Sequence, residues 1–312
     1  MKILHVDQNH PALIEGFEAL GHENMIAYKT PLAQLTSALA IAEGIVIRSR
    51  FPITAAVLER CPKLKFIARL GAGLENIDTA TAEKKNIALL AAPEGNRNAV
   101  GEHSIGLLLA LLRKIPAGDQ SVKQGEWMRE AHRGCELSGR TVGIIGYGHM
   151  GKQLAKKLKG FDVKVLCYDI LPDVGDAHAQ QVSLTVLQQQ AEVISLHTPQ
   201  TPQTIGMINT QFIAAMHHPF WLINTARGSA VDTEALLEGI TTNKILGAGL
   251  DVLEFESKAF TEVVQQNKTA TLDALLKNDK VILSPHIGGW TYESHLRLTT
   301  VILNKFKTQF HS

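Results

Sequence analysis

Thr141-Val-Gly-Ile-Ile-Gly146-Tyr-Gly148-His149-Met150-Gly151 reads as a buried strand, a tight glycine turn and the first turn of a helix. The G-x-G-x-x-G spacing is a dinucleotide-binding fingerprint. Gly146 permits the turn, Gly148 lets backbone approach a pyrophosphate, and Gly151 lets helix and strand pack closely. The helix start then directs free N–H groups and positive dipole at the phosphates. Downstream, Val163-Lys-Val-Leu-Cys-Tyr-Asp169 ends in a carboxylate about 20 residues past the fingerprint, where it can bond both ribose hydroxyls and repel a 2′-phosphate. No arginine stands in the next residues, Ile170-Leu171-Pro172-Asp173. The expected cofactor is therefore NAD, not NADP.

Strand-like and helical runs alternate on both sides of the fingerprint. Residues 141–145, 163–169, 193–197, 220–225, 247–252 and 281–283 are predicted strands of one series. Before it, 3–6, 44–47, 66–68 and 88–91 are predicted strands, with helices over 11–20, 54–59 and 79–85. Such alternation implies βαβ units and parallel sheets. Pro93-Glu94-Gly95-Asn96 is expected to break the pattern, and 100–115 to form a helix that is apolar on nearly every face. Its Glu102 and His103 are expected to be polar helix-end residues in a crevice. The periodic segment 291–310 is expected to return to the first domain. The fold expected is α/β: two Rossmann-like or flavodoxin-like domains with parallel sheets and a cleft between them, residues 1–96 plus 291–312 binding substrate and 97–290 binding NAD.

The 312 residues suit about two domains, and the 45% hydrophobic and 20% charged content is ordinary for a globular protein. With 31 basic and 30 acidic side chains the net charge is +1, which gives no electrostatic case for nucleic acid or an anionic membrane as partner. Three scattered cysteines without a CxxC pair suggest a reducing compartment. No signal peptide or membrane span is legible, so a cytoplasmic location is expected.

Three further strand ends carry chemistry. Phe220-Trp-Leu-Ile-Asn224-Thr225-Ala226-Arg227-Gly228 opens into a polar turn whose arginine can clamp a carboxylate. Leu250-Asp251-Val-Leu-Glu254-Phe-Glu256 ends in three carboxylates; spacing alone does not say whether Glu254 or Glu256 meets a histidine. Val281-Ile-Leu-Ser284-Pro285-His286-Ile-Gly288-Gly289 places a histidine, able to move a proton near neutral pH, before two glycines that allow close backbone approach. Beside a nicotinamide, Arg227, a glutamate and His286 suffice to oxidise a 2-hydroxy acid or reduce a 2-keto acid.

On these motifs the chain resembles the D-isomer-specific 2-hydroxyacid dehydrogenases over essentially its whole length, and within them the 3-phosphoglycerate dehydrogenase branch. Gly71-Ala72-Gly73-Leu-Glu-Asn-Ile-Asp78 resembles the family's substrate loop, and Asn98-Ala-Val-Gly-Glu102-His the start of its interdomain helix. His197-Thr198-Pro199 and the runs 146–151, 224–228, 251–256 and 284–289 resemble its cofactor and catalytic motifs. The resemblance assigns the catalytic carboxylate to Glu256. It implies that Arg227 binds the substrate carboxylate and polarises the carbonyl, and that His286 is the acid/base with Glu256 as partner. It further implies cofactor contacts from His149, Met150, Thr198, Thr225, Ala226, Asp251, Gly288 and Gly289. Substrate contacts are implied from Arg48, Ser49, Arg69 and the backbone of Ala72 and Gly73. A 3-phosphoglycerate substrate in serine biosynthesis is expected. The alternatives are a glyoxylate/hydroxypyruvate or D-lactate-type reductase, or an NADH-sensing corepressor-like protein. The resemblance also implies a homodimer and, with the chain ending after its closing helix, no regulatory domain. The chain departs from the family in Ser257, where proline is usual, in Gly101, where alanine is commoner, and in the segment 257–280, which could reshape the rim of the site. Glu256 argues against the formate dehydrogenase branch, which carries glutamine there.

Overall fold

The computed structural model describes residues 1–256 and 269–310, so the expectation for Ser257 and most of the segment after it lies outside the described residues. The chain forms two compact units, one from residues 1–97 and 290–310, the other from 98–256 and 269–289.

The first unit holds a five-stranded parallel sheet of β1 (Lys2–His5), β2 (Glu23–Ile26), β3 (Gly44–Ile47), β4 (Phe66–Arg69) and β5 (Ala88–Ala91), in the order β2-β1-β3-β4-β5. Every residue of β3 and β4 is buried, which explains why both strands are apolar, up to Arg69 at the end of β4, in a sheet covered on both faces. On one face the helices Ala12–Ala19 and Tyr292–Phe310 pack Phe17, Leu298, Ile302 and Phe306 against Ile3, Val46 and Phe66. The rings of Phe17 and Phe306 meet edge to face at 5.0 Å. Strand β2 went unpredicted because Glu23-Asn-Met-Ile lacks an apolar run. It forms through its ladder to β1 and a 2.7 Å bond between Asn24 Oδ1 and the His5 ring.

The expected break at 93–96 is overturned: one helix runs from Pro93 to Leu112. Proline is tolerated in a first turn, where its missing N–H would have had no helical acceptor. Gly95 fits because a Cβ there would lie 2.7 Å from the backbone of Leu298. The helix also stops short of 115. Lys114 takes φ +48, and a second helix, Ile115–Lys123, begins with Pro116 in its first turn.

The second unit holds β6 (Thr141–Ile145), β7 (Lys164–Tyr168), β8 (Gln180–Gln181), β9 (Val193–Leu196), β10 (Phe220–Asn224), β11 (Ile245–Leu250) and β12 (Val281–Leu283), all parallel. The order is β12-β11-β10-β9-β6-β7-β8, so the chain reverses direction across the sheet between β6 and β9. Ligands of open α/β sheets bind outside the strand ends at such a switch point. Leu107, Leu108 and Leu112 pack on Ile144, Trp221 and Ile223, which accounts for the apolar helix sequence. No helix among the described residues is long and apolar enough to cross a membrane.

Candidate active site

The fingerprint turn is shaped by backbone contacts. Gly146 has φ +91, and a Cβ there would sit 2.7 Å from the His197 carbonyl. A Cβ at Gly151 would lie 2.2 Å from the Gly146 oxygen. At Gly148, the N-cap of the helix His149–Leu158, a Cβ would meet nothing within 4 Å, so the space beside this backbone is open. At the switch point, His197 N donates to Ile145 O, and the Thr198 hydroxyl is buried without a hydrogen-bond partner. Burial pushes the His197 pKa down to about 4, so its ring is neutral; Nε2 meets the Ser195 hydroxyl at 2.9 Å. Asp169 accepts from Tyr147 N at 2.6 Å and Leu171 N at 3.0 Å, which fixes its carboxylate beside the fingerprint. Ile170, next in the chain, is 86% exposed. These features fit a dinucleotide: an open glycine cradle, a buried hydroxyl with spare bonding capacity, and a carboxylate where a ribose would lie.

Asp251 is the hub of the next two strand ends. It is buried, and its Oδ1 accepts from Ser284 Oγ at 2.6 Å and Ile287 N at 2.9 Å, with His103 Nε2 at 3.2 Å. Its Oδ2 accepts from Gly288 N at 2.7 Å. Burial opposes the charge, yet the bonds from His103, Ser284, Gly288 and Ile287 outweigh it and hold the carboxyl below its ordinary value. The loop wrapped on this carboxylate carries His286 at φ +55, a left-handed conformation that costs a non-glycine residue about 1–2 kcal/mol. His286 N donates to Asp251 O at 2.8 Å. His103, expected as a helix-end polar residue, thus serves this network; it also meets Ser284 Oγ at 2.8 Å.

His286 Nδ1 meets Glu256 Oε2 at 2.8 Å, and both side chains are largely buried. A carboxylate opposite Nδ1 requires that nitrogen to carry hydrogen, leaving Nε2 as the site of proton exchange. Glu256 Oε1 accepts from Leu253 N at 2.6 Å, which locks the short turn, whereas Glu254 points to solvent. The alternative left open by spacing is thereby resolved in favour of Glu256. Arg227 follows β10 and is partly buried. Its loop is set by the buried Asn224, which accepts from Ala226 N and donates to Arg227 O. Gly228 brings this loop against the next: a Cβ there would fall 1.9 Å from the Leu253 carbonyl carbon. Thr225 Oγ1 meets Ser104 Oγ at 3.0 Å. Asn224, Ser104 and His103 had no assigned role in the sequence because their partners are distant or are backbone atoms.

In the other unit, Arg48, Ser49, Arg69, Ala72 and Gly73 gather at the carboxyl ends of β3 and β4. The Arg69 guanidinium lies across Gly71, where a Cβ would stand 1.3 Å from its Nη1. Asp7 accepts from Arg48 N, Ser49 N and Arg50 N, an anchor the sequence did not reveal. Asp78 caps the helix Thr79–Lys84 through Thr81 N.

Residues 105–288 match the NAD binding domain of the D-isomer specific 2-hydroxyacid dehydrogenases. A hydroxypyruvate reductase of Thermotoga maritima is 36% identical over 272 residues, 87% of this chain and 86% of that protein. A D-3-phosphoglycerate dehydrogenase of Methanocaldococcus jannaschii is 35% identical over 311 residues, and this chain spans 57% of its length. The crystal structure of a D-lactate dehydrogenase from Aquifex aeolicus, complexed with NAD and lactic acid, superposes with a TM-score of 0.83 at 30% identity, covering 99% of this chain and 96% of that one.

Proposed function

This chain belongs to the D-isomer-specific 2-hydroxyacid dehydrogenase family, NAD-dependent enzymes acting on CH–OH groups, and we propose that it interconverts 3-phosphoglycerate and 3-phosphohydroxypyruvate. The observation that carries the dehydrogenase chemistry is the His286–Glu256 pair, held at 2.8 Å at the carboxyl edge of the seven-stranded sheet. When bound, NADH would supply the hydride for reduction of the keto acid, and NAD would accept it on oxidation of the hydroxy acid. In the reductive direction His286 Nε2 gives a proton to the forming hydroxyl, and Glu256 holds the imidazolium through Nδ1–H. Arg227 clamps the substrate carboxylate and stabilises charge on the carbonyl oxygen. Asp169 would bond the ribose hydroxyls, the helix start at His149 and Met150 would hold the pyrophosphate, and Thr198 would offer its hydroxyl to the cofactor. Thr225, Ala226, Gly288 and Gly289 would line the nicotinamide side.

The five-stranded unit is the proposed substrate domain, with the Ala72 and Gly73 amides on the carboxylate and Ser49 in the same loop system. The partly buried Arg48 and the buried Arg69 support a phosphorylated substrate, since a phosphate is met best by several charge-assisted bonds. Hydroxypyruvate reduction is the second reading, favoured by the Thermotoga relative, whose length this chain nearly spans. A homodimer is the proposed assembly; exposed Ile115, Val122 and Trp127 offer an apolar surface for it. The deciding assay is NADH oxidation with 3-phosphohydroxypyruvate beside hydroxypyruvate, glyoxylate and pyruvate. The highest kcat/KM is expected for the phosphorylated acid. Equal or better values for the others would overturn the substrate, and NADH binding without turnover on any would make the chain a sensor.

A further inference from the structure

Arg48 stands where a ligand of the five-stranded sheet would be met. It directly follows β3, and Leu70 N donates to Ile47 O at 3.0 Å, so Arg48 and the loop at Gly71 are neighbours. The guanidinium is partly buried and forms no ion pair with a carboxylate among the described residues. Asp7, which acts on it through space, has its Oδ2 taken by three backbone amides at 2.6, 3.1 and 3.3 Å. The partner the side chain does have is aromatic: its guanidinium carbon sits 4.0 Å from the centre of the Trp290 ring.

Trp290 is itself held. The His295 ring meets it edge to face at 4.5 Å, and His295 lies in the first turns of the helix Tyr292–Phe310. That helix start is fixed by reciprocal 3.0 Å bonds between Thr291 and Ser294, whose side chain is fully buried. A cation partly withdrawn from water, with its nearby carboxylate oxygen engaged by backbone amides and no ion pair of its own, is stabilised when an anion meets it. A ring stacked on the guanidinium face leaves its in-plane N–H groups as the donors, and these match the paired oxygens of a phosphate or carboxylate. His295 and His10, both close enough to affect one another electrostatically, add no negative charge to the cluster.

We propose that Trp290 is a specificity-determining residue: by stacking on Arg48 it fixes the guanidinium N–H edge as the recognition element for an anionic group at the far end of the 2-keto acid. The proposal rests on the dehydrogenase function given above and assigns its substrate preference to a residue outside the motifs.

The test uses the full chain and its Trp290→Ala and Trp290→Phe variants, with thermal unfolding to confirm that each folds. Two quantities are read: the ratio of kcat/KM for 3-phosphohydroxypyruvate to that for glyoxylate, which has no distal group, and equilibrium binding of inorganic phosphate. Alanine should lower the ratio and weaken phosphate binding each about tenfold, within the range of a partly solvated cation–π contact. Phenylalanine, keeping a ring, should restore most of both. An unchanged ratio together with unchanged phosphate binding would overturn the role of Trp290. So would a loss that phenylalanine does not repair. If the wild type prefers unphosphorylated acids but alanine still weakens phosphate binding, the substrate assignment falls and the Trp290–Arg48 recognition element stands.

Discussion

Replacing Asp251 with asparagine keeps the side chain's size and removes the charge on which the His286 loop is folded. The carboxylate serves donors on both oxygens: Ser284 Oγ, Ile287 N and His103 Nε2 on Oδ1, and Gly288 N at 2.7 Å on Oδ2. An amide has one oxygen. Left on the Oδ1 side, it turns its NH2 group toward the buried Gly288 N–H, donor against donor. Loss of one charge-assisted bond costs about 1.5–3 kcal/mol, and a buried donor left unsatisfied about 1–3 kcal/mol. A destabilisation of about 3 kcal/mol or more is expected from those two effects. The loop also holds His286 in a left-handed conformation worth about 1–2 kcal/mol of strain, so it should relax and carry the ring away from Glu256. A displacement on the order of 1 Å would lower kcat about 100-fold. Urea unfolding and steady-state kinetics measure both. The pH dependence has a definite sign. The folded carboxyl sits below its ordinary value, because hydrogen bonds outweigh the effect of burial. Its contribution is therefore complete above the unfolded value of about 4 and is lost as pH falls through the folded one. The gap between wild type and variant should be full at neutral pH and close in acid. A gap under about 0.5 kcal/mol at pH 7, the size of an ordinary surface substitution, or one that widens on acidification, would refute the argument.

Other substitutions probe separate parts of the molecule. Gly228→Ala should part the Arg227 and Leu253 loops by about 1.5 Å, from 1.9 Å to ordinary contact, lowering both Tm and kcat, the latter about 100-fold; wild-type kinetics would show that the loops do not touch. Gly106→Ala, on an exposed turn of the helix Pro93–Leu112 with nothing within 4 Å, should stabilise by about 0.5–1 kcal/mol in thermal unfolding at unchanged activity. Asp169→Ala should raise the KM for NADH about tenfold or more and reduce the preference over NADPH, with little change in kcat; an unaltered cofactor preference would remove Asp169 from ribose recognition.

The parts of the fold legible in the sequence are the short, mainly apolar runs. Gly44–Ile47, Thr141–Ile145 and Val281–Leu283 are apolar runs between turn residues, and they form strands over those bounds. The strand β2 and the two-residue β8 carry no such run; they owe their form to the neighbour they pair with. Pro93 was misread because proline ends a helix interior and begins a helix equally well. The contact that decides, Gly95 against Leu298, joins residues some two hundred positions apart. The choice between Glu254 and Glu256 failed on spacing for the same reason: it depends on a turn closed by Leu253 N and on a ring thirty residues on.

What the sequence hides most consistently is the polar side chain that works for its own backbone. Asp7, Asn224 and Asp251 all follow or end strands at the carboxyl edge of a sheet, the place where a charged residue is taken for a ligand contact. Each bonds amides of its own or an adjoining loop: Asp7 those of Arg48 to Arg50, Asn224 that of Ala226, and Asp251 those of Ile287 and Gly288. Loops at strand ends leave backbone donors without a ladder, and a buried donor must find an acceptor. A carboxylate supplies about four acceptor directions, so one aspartate can shape a whole loop. These acceptors thereby impose the positions of Arg227, His286 and Arg48, the residues proposed to meet the substrate. Sequence motifs therefore mark where the chemistry lies, while the precision of the site resides in anchors that look like ligands for something else.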